Sequence, residues 1–377
     1  MEAGTAKERI VGLDLMKVLG LYFVILYHLT FRNPSDVLHG GFLTVIPYAL
    51  TTLMSICVPL FFTASGALSL SRPIDLRKNT LRCLHLILLI LFWVIVSLMI
   101  VFALRGEWPG LREFLQIASE LRVGYIQHLW YLPTFLFLTL LTPVLYAMRS
   151  GPKRIYHYGL LLLFLFTFGN LFLNDLEYLL RWALGKTGHT GSRQFFWYVN
   201  FFGYHYWYSV FYLALGAYLV EYRQVFQRYR GAAIVAIPVC MVFLTLFALA
   251  RSHVYGSVFD PVFNNYGNAF TLILTASVSL LLMGWEPKGL LRRGAASMAS
   301  CSLGIYLIHW LLIEVLLDFA PDVVDAVALA PLTALGLLAI SWGLSWCCLK
   351  LPYIKNLFTA SPTWIHGKKR TKSSRPT

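Results

Sequence analysis

The chain has 377 residues, of which 58% are apolar or aromatic and only 13% are charged, and its 31 Lys plus Arg against 17 Asp plus Glu give a net charge of +14. That balance excludes a soluble globular enzyme, a disordered chain and a disulfide-stapled module. The basic residues lie between apolar runs rather than on one hydrated face, which argues against a nucleic-acid binder and for membrane topology.

Apolar runs fall at residues 10–31, 42–70, 80–104, 131–148, 155–173, 207–220, 232–250, 268–285, 302–318 and 327–349. They predict an all-α, polytopic integral membrane protein with about ten transmembrane helices. The first run is too long for a cleaved signal, carries Asp14 and Lys17, and lacks a small-residue cleavage site, so it is expected to remain as a span. The longest gap is the 33 residues from Asn174 to Tyr206, too short for a separate soluble domain. Residues 1–350 are therefore read as one transmembrane domain and 351–377 as a basic cytoplasmic tail. Alternating the spans places 22 Lys and Arg on the face of the termini and 8 on the other. Both termini are thus expected in the cytoplasm. Between spans, residues 111–122 have the periodicity of an interfacial helix, and the run from Phe195 to Trp207 reads as an aromatic belt or as the lining of an acceptor groove. The cysteines, Cys57, Cys83, Cys240, Cys301, Cys347 and Cys348, lie in or beside apolar runs and read as buried thiols.

Ionisable groups inside spans are site candidates because each is costly unless paired or hydrated. Lys17 and His28 are eleven residues apart, which closes to within about 20° of one helix face with an axial separation of about 16 Å. Asp14 lies one turn below Lys17 and can pair with it. The bland alternative is an interfacial ion pair plus a core histidine. Arg72, Arg77, Lys78 and Arg82 cluster where the third span begins, as positive-inside bias alone would place them, and His85 beside them reads as structural or headgroup-facing. His128, Trp130 and Tyr131 open the fourth span at the outer interface. Ser302, Tyr306 and His309 form one stripe on the ninth, at the spacing of either a packing face or a site. Glu314, five residues past His309, is expected to point elsewhere. Neither His-Glu-x-x-His, Cys-x-x-Cys nor Gly-x-Ser-x-Gly occurs, so no metal site and no nucleophile elbow are read.

The segments Leu13-Asp14-Leu-Met-Lys17 with His28, Val58-Pro59-Leu-Phe-Phe62 with Ser65-Gly66, His128-Leu-Trp130-Tyr131, and Ser302-Leu-Gly304-Ile-Tyr306 with His309 resemble the membrane-bound acyltransferase family 3 in order and spacing. Within it the chain is most similar to compact O-acetyltransferases of surface polysaccharides, such as those acetylating enterobacterial common antigen. The resemblance implies a bacterial inner-membrane enzyme that moves an acetyl or other small acyl group from cytoplasmic acyl-CoA to a sugar hydroxyl of an extracytoplasmic or lipid-linked glycan, without a metal. It implies His28 as general base, assisted by Asp14 and Lys17. Lys17, Arg72, Arg77, Lys78, Arg82, Ser302, Tyr306 and His309 are then expected at the acyl-CoA, and His128, Trp130 and Tyr131 at the acceptor. Tyr306 and His309 are expected near the cytoplasmic end, separated by depth from the outer acceptor. Lys17 stands where the family carries arginine, which keeps the cation and loses the planar two-point fork. Two other readings use the same polar stripes: a transporter or exporter of a small polar metabolite, for which no convincing internal repeat is found, and a non-catalytic membrane sensor.

Overall fold

The computed structural model describes residues 9–30, 42–106, 108–120, 124–187, 206–362 and 365. In chain order its main helices are α1 (Val11–Thr30), α2 (Phe42–Leu53), α3 (Cys57–Ser69), α4 (Leu76–Arg105), α5 (Leu111–Ser119), α6 (Tyr131–Ser150), α7 (Lys153–Phe164), α8 (Asn170–Ala183), α9 (Trp207–Glu221), α10 (Arg230–Tyr255), α11 (Ala269–Met283), α12 (Gly289–Ser300), α13 (Ser302–Phe319) and α14 (Ala330–Lys350). No β-strand occurs among the described residues. A 3-10 turn at Met54–Ile56 joins α2 to α3, and a π-turn at Leu165–Gly169 joins α7 to α8, so each pair makes one long crossing.

Among the described residues, eight segments are long and apolar enough to cross a bilayer. Helices α9 and α11 have 15 residues each, about 22 Å at the α-helical rise and short of the roughly 30 Å hydrocarbon core. Both are largely buried by their neighbours, so protein rather than lipid sets their length. With them, every one of the ten apolar runs coincides with a helical segment of an all-α, multi-pass membrane protein.

Close helix crossings depend on small residues. A Cβ on Gly66 of α3 would overlap the Leu213 carbonyl of α9, and one on Gly216 of α9 would overlap the Thr63 carbonyl of α3. Helix α1 is central and touches α3, α11, α12, α13 and α14. We call its Val11 end proximal and its Thr30 end distal. The periodic segment after α4 is helical as α5, with Leu111 and Leu115 exposed while Phe114 and Ile117 face the core.

Several details depart from the sequence reading. Cys347 is exposed, because α14 buries only one stripe and turns the rest outward. Arg251, counted with the distal cations, is buried and ion-paired to Asp175 between α10 and α8. The chain past Lys350, assigned to a basic tail, forms a 3-10 turn at Lys355–Phe358 and packs against α4 as far as Ala360. The aromatic run up to Tyr204 and the basic segment from Gly367 lie outside the described residues.

Candidate active site

Among the described residues, two cavities lie along the Lys17–His28 face of α1. The distal one, about 710 Å³, is lined by Tyr27, His28, Cys57, Arg105, Gln127, His128, Trp130, Tyr131, Tyr266, Tyr306, Trp310 and Glu314, among others. The proximal one, about 280 Å³, is lined by Lys17, Ser65, Arg82, Tyr131, Phe135, Thr139, Ser302, Tyr306 and Ala360, with apolar neighbours. They share four walls, Val24, Val58, Tyr131 and Tyr306. One face of α1 therefore presents a cation to the proximal cavity and an imidazole to the distal one, as the 3.6-residue period requires of positions 17 and 28.

The proximal cavity has two cations, and among the described residues neither Lys17 nor Arg82 forms an ion pair. Asp14 pairs with Arg9 instead of Lys17, at 2.6 and 2.9 Å to its two carboxylate oxygens. The planar Arg9 guanidinium, just before α1, can grip both oxygens at once, which the Lys17 ammonium cannot. Of the basic cluster on α4, only Arg82 lines the cavity. Arg72, Arg77 and Lys78 are exposed at the surface. Asp75 caps α4 by accepting from the Lys78 amide at 3.1 Å, and that hydrogen bond holds its carboxyl below the ordinary value. His85 lies outside the cavities and bonds the Thr359 carbonyl.

The distal cavity brings together groups from α1, α3, α4, the turn that opens α6, α6 itself, the stretch before α11 and α13. Tyr306 and His309 do not stay proximal: the His309 ring centroid is 5.7 Å from His28 and 5.9 Å from His128. The reason is the break at Cys301. Helix α12 fills the proximal part of this crossing, packed on the start of α1 where Arg9 reaches the Ala296 carbonyl, so α13 begins inside the protein rather than at its surface. Trp310 lies edge-on to His28 at 4.9 Å and is stacked on His128 at 5.4 Å. The cavity-facing stripe of α13 is Ser302, Tyr306, Trp310 and Glu314, and His309 is wholly buried beside it. Glu314 does not point away, since it lines the distal cavity and pairs with Arg105 at 2.9 Å.

Three polar features define what the distal cavity can do. His309 Nδ1 lies 2.5 Å from the Tyr306 carbonyl; a carbonyl only accepts, so Nδ1 carries the proton and Nε2 is left as a bare acceptor. That Nε2 and both ring nitrogens of His128 are buried without a hydrogen-bond partner among the described residues. Tyr306 Oη donates to the His128 carbonyl, tying α13 to the turn that opens α6. Tyr131, between the cavities, stacks on Phe62 and lies 5.2 Å from Tyr306. Trp130, in the distal wall, is stacked against Tyr206 and Tyr266.

Sequence reasoning missed Trp310, Arg105, Glu314 and the Tyr27–Asp260 pair. Tyr27 Oη donates to Asp260 Oδ2 at 2.6 Å. Burial raises the Asp260 carboxyl above the ordinary range, opposed by that hydrogen bond and by the Val262 and Phe263 amides. Arg105 and Glu314 were legible only as opposite charges near the distal ends of two apolar runs. Among the described residues no group of three His, Cys, Asp or Glu is disposed to hold a metal ion.

The model of the membrane acyltransferase family 3, described as an acyltransferase domain, matches residues 10–346. No curated protein and no solved structure matches the chain.

Proposed function

We propose, from the premise that the chain belongs to the membrane-bound acyltransferase family 3 and is a membrane acyltransferase, that it transfers an acetyl or other small acyl group from acyl-CoA to a sugar hydroxyl. The observation that carries this reading is the pair of cavities sharing Val24, Val58, Tyr131 and Tyr306, one lined by Lys17 and Arg82 and the other by His28. Cations without carboxylate partners suit an anionic donor. The axial distance of about 16 Å from position 17 to position 28 is on the scale of an extended pantetheine arm. The distal cavity is walled by aromatic rings with polar edges, a surface that suits a sugar.

In this reading the proximal end faces the cytoplasm, where most Lys and Arg lie, and the acceptor is a glycan or lipid-linked sugar on the other side. The donor thioester reaches past Tyr131 and Tyr306 into the distal cavity. The sugar hydroxyl attacks the thioester carbonyl while His28 takes its proton, and the C–S bond then breaks. The proton passes from the imidazolium to the departing thiolate, giving ester and CoA. Positioned proton transfer of this kind contributes typically about 10²- to 10⁴-fold. His128 and His309 add two further imidazoles whose free nitrogens are buried beside the same space.

The test is purified protein in liposomes loaded with labelled acetyl-CoA and given an external sugar acceptor. Label recovered as an external ester supports the enzyme. Solute flux without ester formation supports a carrier and overturns the proposal. His28→Ala should insert normally and lose transfer by at least about 100-fold; an active His28→Ala protein removes the assigned base.

A further inference from the structure

The segment after the last span is fastened to one face of α4 at three points. Trp93 Nε1 donates to the Leu357 carbonyl at 2.8 Å, His85 Nε2 to the Thr359 carbonyl at 2.8 Å, and Arg82 Nε to the Ala360 carbonyl at 3.3 Å. Positions 82, 85 and 93 fall within an arc of about 80° at roughly 100° per residue. All three acceptors are backbone carbonyls, so the clamp reads the path of the segment rather than its sequence. Phe358 is wedged beneath it, edge-on to Trp93 at 5.3 Å. It also faces Gly304 of α13, where a Cβ would lie 3.1 Å from the Phe358 ring and 2.7 Å from Ser345 Oγ. The glycine of the Ser302-Leu-Gly304-Ile-Tyr306 motif thus makes room for α14 and for this segment together. Ala360 and Arg82 then line the proximal cavity side by side.

We propose that residues 357–360 form a strap that is a working part of the donor site. It walls the proximal cavity and, by engaging Nε of Arg82, leaves that side chain's two terminal amino groups to grip an anion. Those amino groups make no hydrogen bond among the described residues. This supplies the planar two-point contact that Lys17 cannot offer. It rests on the reading of the proximal cavity as the place of an anionic CoA donor. His85 and Trp93 are positioning residues in it, acting through the strap on Arg82.

The experiment uses the full chain in detergent or nanodiscs, with CoA itself as the binding probe and steady-state kinetics in donor and acceptor. His85→Ala removes one clamp, and His85→Gln restores an N–H donor. Trp93→Phe keeps an aromatic ring, though a smaller one, and loses the N–H. Loss of one such hydrogen bond is expected to raise the Kd for CoA and the donor KM up to about tenfold, with kcat and acceptor KM within about twofold. His85→Gln should recover most of the donor affinity, which a merely structural defect would not favour. The strap is overturned if His85→Ala and Trp93→Phe bind CoA as wild type does, or if they lose thermal stability and kcat with no change in donor KM. Wild-type protein that binds no CoA would remove the underlying reading instead, so the two failures are separable.

Discussion

Lys17 offers the sharpest test because its functional and structural roles predict opposite signs. It faces the proximal cavity and forms no ion pair among the described residues, since Asp14 is engaged by Arg9. A partly buried ammonium without a carboxylate partner is costly to the fold, so Lys17→Met should leave the melting temperature unchanged or raise it. If the same ammonium meets an anionic group of the donor, the lost charge-assisted hydrogen bond contributes about 1.5–3 kcal/mol. At about 1.4 kcal/mol per tenfold that is roughly a 10- to 100-fold loss in kcat/KM, carried by the donor KM. Lys17→Arg restores a cation with a two-point fork and should match or exceed wild type. The assay is initial-rate kinetics against acyl-CoA at saturating acceptor, with melting curves of the same preparations. A Lys17→Met protein that melts lower and keeps its donor KM would show that Lys17 holds the fold, and a Lys17→Arg protein as impaired as Lys17→Met would show that it does not stand in for arginine.

Three further outcomes follow from other parts of the molecule. Glu314→Gln removes the carboxylate paired with Arg105 at the distal cavity; acceptor KM should rise several-fold with donor KM unchanged, and kinetics in both substrates check it. Gly66→Ala puts a methyl group into the Leu213 backbone with no flexible side chain able to yield. A core overpacking cost of about 1–3 kcal/mol or more is expected, visible as loss of monodisperse protein in detergent, whereas Ala at the open Gly336 position should be silent. Asp260 has a raised folded-state pKa caused by burial. The folded state therefore holds its proton to higher pH than the unfolded chain does, and stability contributed by the protonated form is lost as pH rises from the ordinary carboxylate value through the raised one. Asp260→Asn should flatten that part of a melting-temperature profile against pH.

The spans were legible because a bilayer demands long uncharged runs, and ten of them remain between the charges. The stripe on α1 was legible for a related reason: the positions of Lys17 and His28 follow from the period of one helix and need no knowledge of its neighbours. What a single helix does not specify is depth. Run 302–318 seemed to start at the membrane face because Lys288, Arg292 and Arg293 precede it. The structure instead uses α12, polar as its sequence is, for the proximal part of that crossing, so Ser302 starts well inside. Displacing α13 distally carries His309 to His28 and Glu314 to the rim of the cavity, which corrects two residues with one cause. The strap was illegible for a different reason. Its three fastenings join side chains of α4 to bare carbonyls, and no property of the residues that own those carbonyls announces them. Only Gly304 hinted at it, since a glycine within an apolar helix means that something approaches closely there. Ser345 of α14 and Phe358 share that space, the latter from a stretch that composition alone assigned to a tail. The same displacement explains why His309 matters more than its stripe suggested: its proton is committed to the Tyr306 carbonyl one turn back, so its remaining nitrogen must accept, and the two other imidazoles lie with their ring centroids 5.7 and 5.9 Å away.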